Sequence, residues 1–178
     1  MERAWYFAYG SNLHVDVFRG RRGIVHHRAV PGRLAGWRLV FDKPPLFPIG
    51  ESFANLVADA AASAVGVLYE IDAGELQHID LTEGVPIGNY SRVAVEVATI
   101  GSHAGVGPAV AAHTLVSERR DSALCPSHRY MELVIEGARA HGLPEDHIAV
   151  LRQVPSRPST PEALAAQRQI DDLLRRLR

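Results

Sequence analysis

The 178-residue sequence predicts an α+β fold, a small and mostly antiparallel sheet or barrel with flanking helices. Two patterns carry this. Through the first two thirds, short apolar or alternating runs are broken by glycine and proline, as strands are. The last third has apolar residues at helical spacing, with capping residues ahead of them. The length suits one domain, residues 1–178, with a sizeable core. Residues 155–178 form its C-terminal helical extension.

The strands open with residues 5–9, short, aromatic and bounded by Gly10. Runs at 29–34, 37–42, 54–59 and 64–71 come next, punctuated by Gly36, Pro44, Pro45, Pro48 and Gly50. The alanine-rich stretch ADAAASA, residues 58–64, reads as a turn between two strands. AVGVLYEI has few polar breaks and reads as a central strand. Asp72 then caps a short helix, and Glu75 completes a capping box. Leu76 and Ile79 face the core, and Gly84 closes the helix because glycine tolerates the left-handed conformation. RVAVEVATI, residues 92–100, alternates and pairs as a hairpin with PAVAAHTLV, residues 108–116. Residues 127–141 form a helix with Tyr130, Leu133, Val134, Gly137 and Ala138 on one face. Pro144 opens another short helix. Ser159-Thr160-Pro161-Glu162 starts the last one, whose apolar stripe is Ile170, Leu173, Leu174 and Leu177.

Charge and composition exclude several classes of function. The net charge is −1, so no global basic field holds nucleic acid or an anionic membrane. Of 19 basic residues all but Lys43 are arginine, and Lys43 has neither the preceding glycine nor the following Ser or Thr of a P-loop. Lys43 reads as a loop residue. One cysteine, Cys125, cannot build a disulfide framework or a thiolate zinc site. No histidine pair has metal-ligand spacing, so no metal is expected, and His113 reads as a satisfied core histidine. Neither a signal-peptide core nor an apolar run of ~20 residues is present. The expectation is a cytoplasmic protein with no nucleic-acid or membrane partner.

The stretch YFAYGSNL, residues 6–13, breaks from a strand into Gly-Ser-Asn. Backbone N–H groups in such a turn form a concavity for a small carboxylate or phosphate, and Gly10 permits close approach. The plain alternative is a strand-to-helix turn capped by Ser11 or Asn12. Glu83 is the second candidate. A carboxylate at a helix C-terminus, beside apolar residues, is placed to act as a general acid/base. Asp80, one turn earlier, is a candidate to share its proton; a surface Glu is the alternative. Cys125 with His128 forms a weaker nucleophilic pairing. Arg19, Arg21 and Arg22 read as a solvent-exposed basic cluster.

Three segments together resemble the γ-glutamylcyclotransferase family, in the AIG2-like superfamily. YFAYGSNL resembles its N-terminal signature. GVLYEIDAGELQHIDLTEGVPIGNY resembles its central strand and helix leading to Glu-Gly-Val and Gly-x-Tyr. PSHRYMELVIEGARAHGLP resembles its C-terminal Pro-Ser-x-x-Tyr helix. The matches fall in family order from about Trp5 to Gln153. The resemblance implies a compact barrel-like core, no cofactor, and cyclisation of a γ-glutamyl amide to 5-oxoproline and a free amine. Glu83 then matches the catalytic acid/base. Tyr6, Phe7, Ala8, Tyr9, Gly10 and Ser11 match the substrate-binding loop, with Asn12 beside them, and Tyr90 and Tyr130 match the aromatic cavity wall. Asp80 becomes structural. Thr114 and the loop SERRDSALCPSH depart from the family pattern on the leaving-group side. The substrate implied is a γ-glutamyl amino acid or a related compound. The alternatives are a natural-product tailoring enzyme removing a γ-glutamyl protecting group, and a non-catalytic ligand-binding homologue. For the tail after Pro155, packing onto the body and self-association into a homodimer are both open.

Overall fold

A computed structural model describes residues 2–46 and 49–176, with side chains through Leu173. Five strands close into a barrel in the order β1-β3-β2-β4-β5. They are β1 (Arg3–Ala8), β2 (His26–Lys43), β3 (Phe53–Asp72), β4 (Ser91–Thr99) and β5 (Ala109–Val116). All neighbours are antiparallel except β1 and β5, which run parallel at Tyr6 and His113. The α+β class and the mostly antiparallel barrel are therefore as expected.

The strand boundaries differ from expectation in one instructive way. The runs 29–34 and 37–42 are one strand, and so are 54–59 and 64–71. The ladder pairs Ala35 with Ser63 and then Trp37 with Ala58, so Gly36 alone faces residues 59–62. The ADAAASA stretch is thus a bulge inside β3 rather than a turn. The Asp59 side chain accepts from the Ala61 amide at 3.1 Å, a local turn that absorbs the extra residues without breaking the ladder. The bulge bends the long β2–β3 pair, as barrel closure requires. The real β2–β3 connection is residues 44–52. Pro48, expected to punctuate it, lies outside the described residues.

Helix α1 (Glu75–Glu83) ends on Gly84, in the left-handed conformation at φ +73°, as its sequence predicts. Its start differs: Gly74, not Asp72, is the cap, and Asp72 instead pairs with Arg3 and His27 on the sheet. Helix α2 (His128–Ala140) is capped by the Ser127 hydroxyl, which accepts from the Tyr130 amide. Helices α3 (Glu145–Arg152) and α4 (Pro161–Arg176) complete the chain, and Thr160 caps α4 through the Ala163 amide. Of the expected α4 stripe, Ile170 and Leu173 are solvent-exposed. The Leu174 side chain and Leu177 lie outside the described residues. No described helix is long and apolar enough to cross a membrane.

One packing contact bears on the segment after β1. Gly137 of α2 sits against the backbone of Leu13 and His14, where an added Cβ would lie 2.5 Å from the Leu13 carbonyl carbon. Backbone cannot yield as a flexible side chain can. Gly137→Ala is expected to destabilise the fold by about 1–3 kcal/mol, read as a lower urea midpoint. An unchanged midpoint would mean that α2 and this segment are loosely apposed.

Acid should also weaken the fold. His26, His141 and His147 all have lowered pKa values, chiefly from burial. His141 meets the Tyr69 hydroxyl at 2.8 Å, and His26 packs on the same tyrosine ring. A folded-state pKa below the unfolded value means that the unfolded chain binds more protons as pH falls. Their contribution is therefore complete above about pH 6.5 and is lost as pH drops through the folded values. The urea midpoint should fall between pH 7.5 and pH 5, with a smaller drop in a His26→Gln/His141→Gln variant. A flat or rising midpoint would contradict this.

Candidate functional site

The end of β1 and the turn after it form one wall of the site. Tyr6, Phe7, Ala8 and Tyr9 are buried, followed by a one-turn 3-10 helix (Ser11–Leu13) and a π-helical turn (Asp16–Arg21). The opposite wall is the C-terminus of α1, where Glu83 is followed by the Gly84 cap, a second one-turn 3-10 helix (Val85–Ile87), and then Asn89 and Tyr90.

Glu83 is 13% exposed and held from two directions. Its Oε1 accepts from Asn12 Nδ2 at 2.7 Å and lies 2.9 Å from an Arg22 guanidinium nitrogen. Arg22 also donates to Asn12 Oδ1 at 2.7 Å and to the Thr82 carbonyl at 3.0 Å. One guanidinium therefore clamps the post-β1 turn to the end of α1. Arg22 is 12% exposed, so it is not part of a solvated basic cluster, although Arg19 is exposed. Oε2 of Glu83 accepts no hydrogen bond from the described residues.

Four tyrosines surround this carboxylate. Tyr6 accepts from Asn12 at 3.2 Å. Tyr9 donates to the Leu115 carbonyl and Tyr90 to the Ala54 carbonyl, while Tyr130 accepts from the Ala54 amide at 3.1 Å. Burial raises the pKa of all four, and the Glu83 charge adds to each shift. Tyr130 is pushed up to about 12, with hydrogen bonds from Ala54 and Ser11 partly offsetting its burial. All four stay neutral at physiological pH; Tyr9 and Tyr90 already donate to backbone carbonyls, while the Tyr6 and Tyr130 hydroxyls accept from Asn12 and Ala54. Gly10 lies against this group: a Cβ there would stand 3.0 Å from both the Tyr130 hydroxyl and the Ala54 side chain.

The expected site residues are thus mostly brought together. Tyr6, Tyr9, Gly10, Ser11, Asn12, Glu83, Tyr90 and Tyr130 converge. Phe7 and Ala8 belong instead to the core, and the Phe7 carbonyl accepts from Thr114 at 2.9 Å. Asp80 ion-pairs with Arg92 on β4 at 3.3 Å. His128 bonds Ser156 at 2.8 Å rather than Cys125, so the two do not form a nucleophile–base pair. His113 is half-buried rather than a core residue.

Sequence reasoning missed three cations. Besides Arg22, Lys43 ends β2 and is buried, and Arg119 lies just past β5. Both donate to Asn89 Oδ1, at 2.6 and 3.2 Å. The Asn89 amide in turn donates to the Glu83 carbonyl at 2.8 Å.

Comparison with known proteins places this architecture. Residues 63–151, half of the chain, match the model of the AIG2-like family. The chain belongs to the AIG2-like family. A gamma-glutamyl cyclotransferase of Aspergillus oryzae is 33% identical over 165 residues, which cover 83% of this chain and 60% of that protein. This chain thus matches about three fifths of that relative's length. The gamma-glutamylcyclotransferase of Homo sapiens is 26% identical over 156 residues, 84% of this chain and 77% of that one. A solved gamma-glutamyl cyclotransferase superposes with a TM-score of 0.78 at 23% identity, covering 98% of this chain and 99% of that chain. At that identity the superposition establishes the fold alone. The AIG2-like segment contains Glu83, Asn89, Tyr90, Arg119 and Tyr130. Asn12, Arg22 and Lys43 are contributed by the residues before it.

Proposed function

We propose that this AIG2-like protein cleaves a γ-glutamyl amide by intramolecular aminolysis, with Glu83 as the general acid/base. The observation that carries the reading is a Glu83 carboxylate pinned through one oxygen by Asn12 and Arg22, with the other oxygen unengaged by described residues, amid neutral tyrosines.

The substrate α-ammonium gives a proton to Glu83. The freed amine attacks the γ-carbonyl, and a five-membered ring closes as the C–N bond forms. Glu83 returns the proton to the departing nitrogen as the original amide C–N bond breaks, and the second proton shed by the ring nitrogen passes to the released amine, which leaves as an ammonium. The products are 5-oxoproline and a free amine, with no other reactant consumed. Ring closure is intramolecular, so correct folding of the substrate supplies much of the acceleration. Neutral phenols are suited to the oxygen on which charge develops, and Tyr130 beside Gly10 is placed to donate there. The turn after β1, with Gly10 and Ser11, would hold the glutamyl carboxylate.

Incubation with γ-glutamyl amino acids, γ-glutamyl amines and glutathione should release 5-oxoproline from at least one class. Cys125→Ser should release it equally well. Loss of product in Cys125→Ser alone would replace Glu83 with a thiol mechanism.

A further inference from the structure

Lys43 and Arg119 carry positive charge, and no described residue forms an ion pair with either. The Lys43 ammonium donates to the Pro44 carbonyl at 2.9 Å and to Asn89 Oδ1 at 2.6 Å. Arg119 donates to the Pro45 carbonyl at 2.9 Å and to the same Asn89 oxygen at 3.2 Å. Every one of these acceptors is neutral. A buried cation is costly without an anion beside it, and Lys43 is only 2% exposed.

The pair adjoins the site. The Lys43 ammonium stands 4.5 Å from the centre of the Tyr90 ring. Asn89 links both cations to the Glu83 carbonyl. Burial and the Arg119 charge lower the Lys43 pKa to about 8, and Glu83 opposes this. Lys43 is therefore still mainly a cation at neutral pH. Glu83 already has Arg22 as its own counter-charge, which leaves two further cations for a bound molecule.

Granting the cyclisation reading above, we propose that Lys43 and Arg119 bind a carboxylate on the departing amine and so select γ-glutamyl amino acids over γ-glutamyl amines. A simple γ-glutamyl alkylamide is a neutral zwitterion. A γ-glutamyl amino acid carries one more negative charge, and the cation pair matches it. The glutamyl carboxylate has its own place at the post-β1 turn, on the Asn12 side of Glu83. Lys43 and Arg119 approach instead from the ends of β2 and β5, by way of Asn89.

The test compares γ-glutamyl-alanine with γ-glutamyl-ethylamide, which differ by that one carboxylate. A charge-assisted hydrogen bond lost on the amide should make kcat/KM for the alanine compound roughly 10- to 100-fold higher in the native protein. Lys43→Met and Arg119→Gln should each reduce this preference by roughly tenfold, and Lys43→Arg should keep most of it. The preference is a ratio within one preparation, so a partly folded variant does not distort it. If Lys43→Met fails to fold, Arg119→Gln carries the test. No preference in the native protein, or an equal loss on both substrates in the variants, overturns the proposal. If neither these two compounds nor the wider panel with glutathione yields 5-oxoproline, the cyclisation reading itself fails. Calorimetric binding of the same two compounds then decides the subsite. Tighter binding of γ-glutamyl-alanine that disappears in Lys43→Met upholds it; equal binding, or none, rejects it.

Discussion

Glu83→Gln is expected to lower kcat for 5-oxoproline release by roughly 10²- to 10⁴-fold, the usual contribution of a positioned general acid/base. Glutamine keeps an oxygen for Asn12 and Arg22 and nearly the same volume, so the turn and the end of α1 should stay joined. What it cannot do is take the ammonium proton. With the proposed substrate contacts in the turn after β1 and not on Glu83, KM should move much less than kcat. Glu83→Asp tests position separately. It keeps the carboxylate but withdraws it by one methylene, and a misplacement of about 1 Å can cost roughly 100-fold. Near-normal turnover in Glu83→Gln would falsify the mechanism, whatever the substrate.

Arg22→Met should produce the largest loss of stability among the site variants. The guanidinium makes three bonds that tie Asn12, Thr82 and Glu83 together, and it is as sheltered as its partner. Removing one member of a buried pair leaves the other charge without compensation, at about 3–5 kcal/mol. Unfolding in urea at pH 7 should show a loss near the lower end of that range, since both groups keep some contact with solvent. Activity should fall with it, by roughly 10- to 100-fold in kcat, because Glu83 and Asn12 lose their common anchor. Arg22→Lys should not restore either property: an ammonium cannot span three acceptors with a planar fork. In a double-mutant cycle with Glu83→Gln, the two losses should fall short of additive by more than about 1 kcal/mol. A destabilisation under about 1 kcal/mol with normal kcat would make Arg22 a bystander.

These two residues differ in how visible they are in the sequence. Glu83 stands in a local pattern: a helix period, a closing glycine, then Gly-x-Tyr. Each sign lies within a few positions of the next, so the chain's own geometry keeps them together. Tyr130 has no such local sign: by spacing it belongs to the apolar face of its helix, and only the family resemblance marks it as a wall residue. Arg22 offers no such pattern. It stands just after Arg19 and Arg21, and its neighbours suggest a solvated cluster. The π-helical turn at Asp16–Arg21 changes this. One residue more than an α-helical turn rotates the next side chain by about 100°, and Arg22 swings inward.

Lys43 reads as a loop residue because Pro44 and Pro45 come directly after it. It is instead the last residue of a strand whose continuity past Gly36 depends on a bulge in its partner. Its acceptor Asn89 is 46 positions away, and Arg119 reaches the same atom from 30 positions away. The misread turn at ADAAASA has the same origin. Alanine and serine permit a turn, and only pairing with a neighbouring strand decides between turn and bulge.

The tyrosines beside Glu83 are marked only by the family resemblance; by itself the sequence determined the class of fold, the closing of α1 at Gly84 and the capped start of α4. All of these come from interactions between near neighbours, where propensity and periodicity act. Only the tertiary structure decided which charges are buried and what they face. Burial is a property of barrel closure, and the free energy of a charge depends on partners brought from far along the chain. Arg22 clamps, and Lys43 and Arg119 stand without an ion-pair partner among the described residues, for that reason alone.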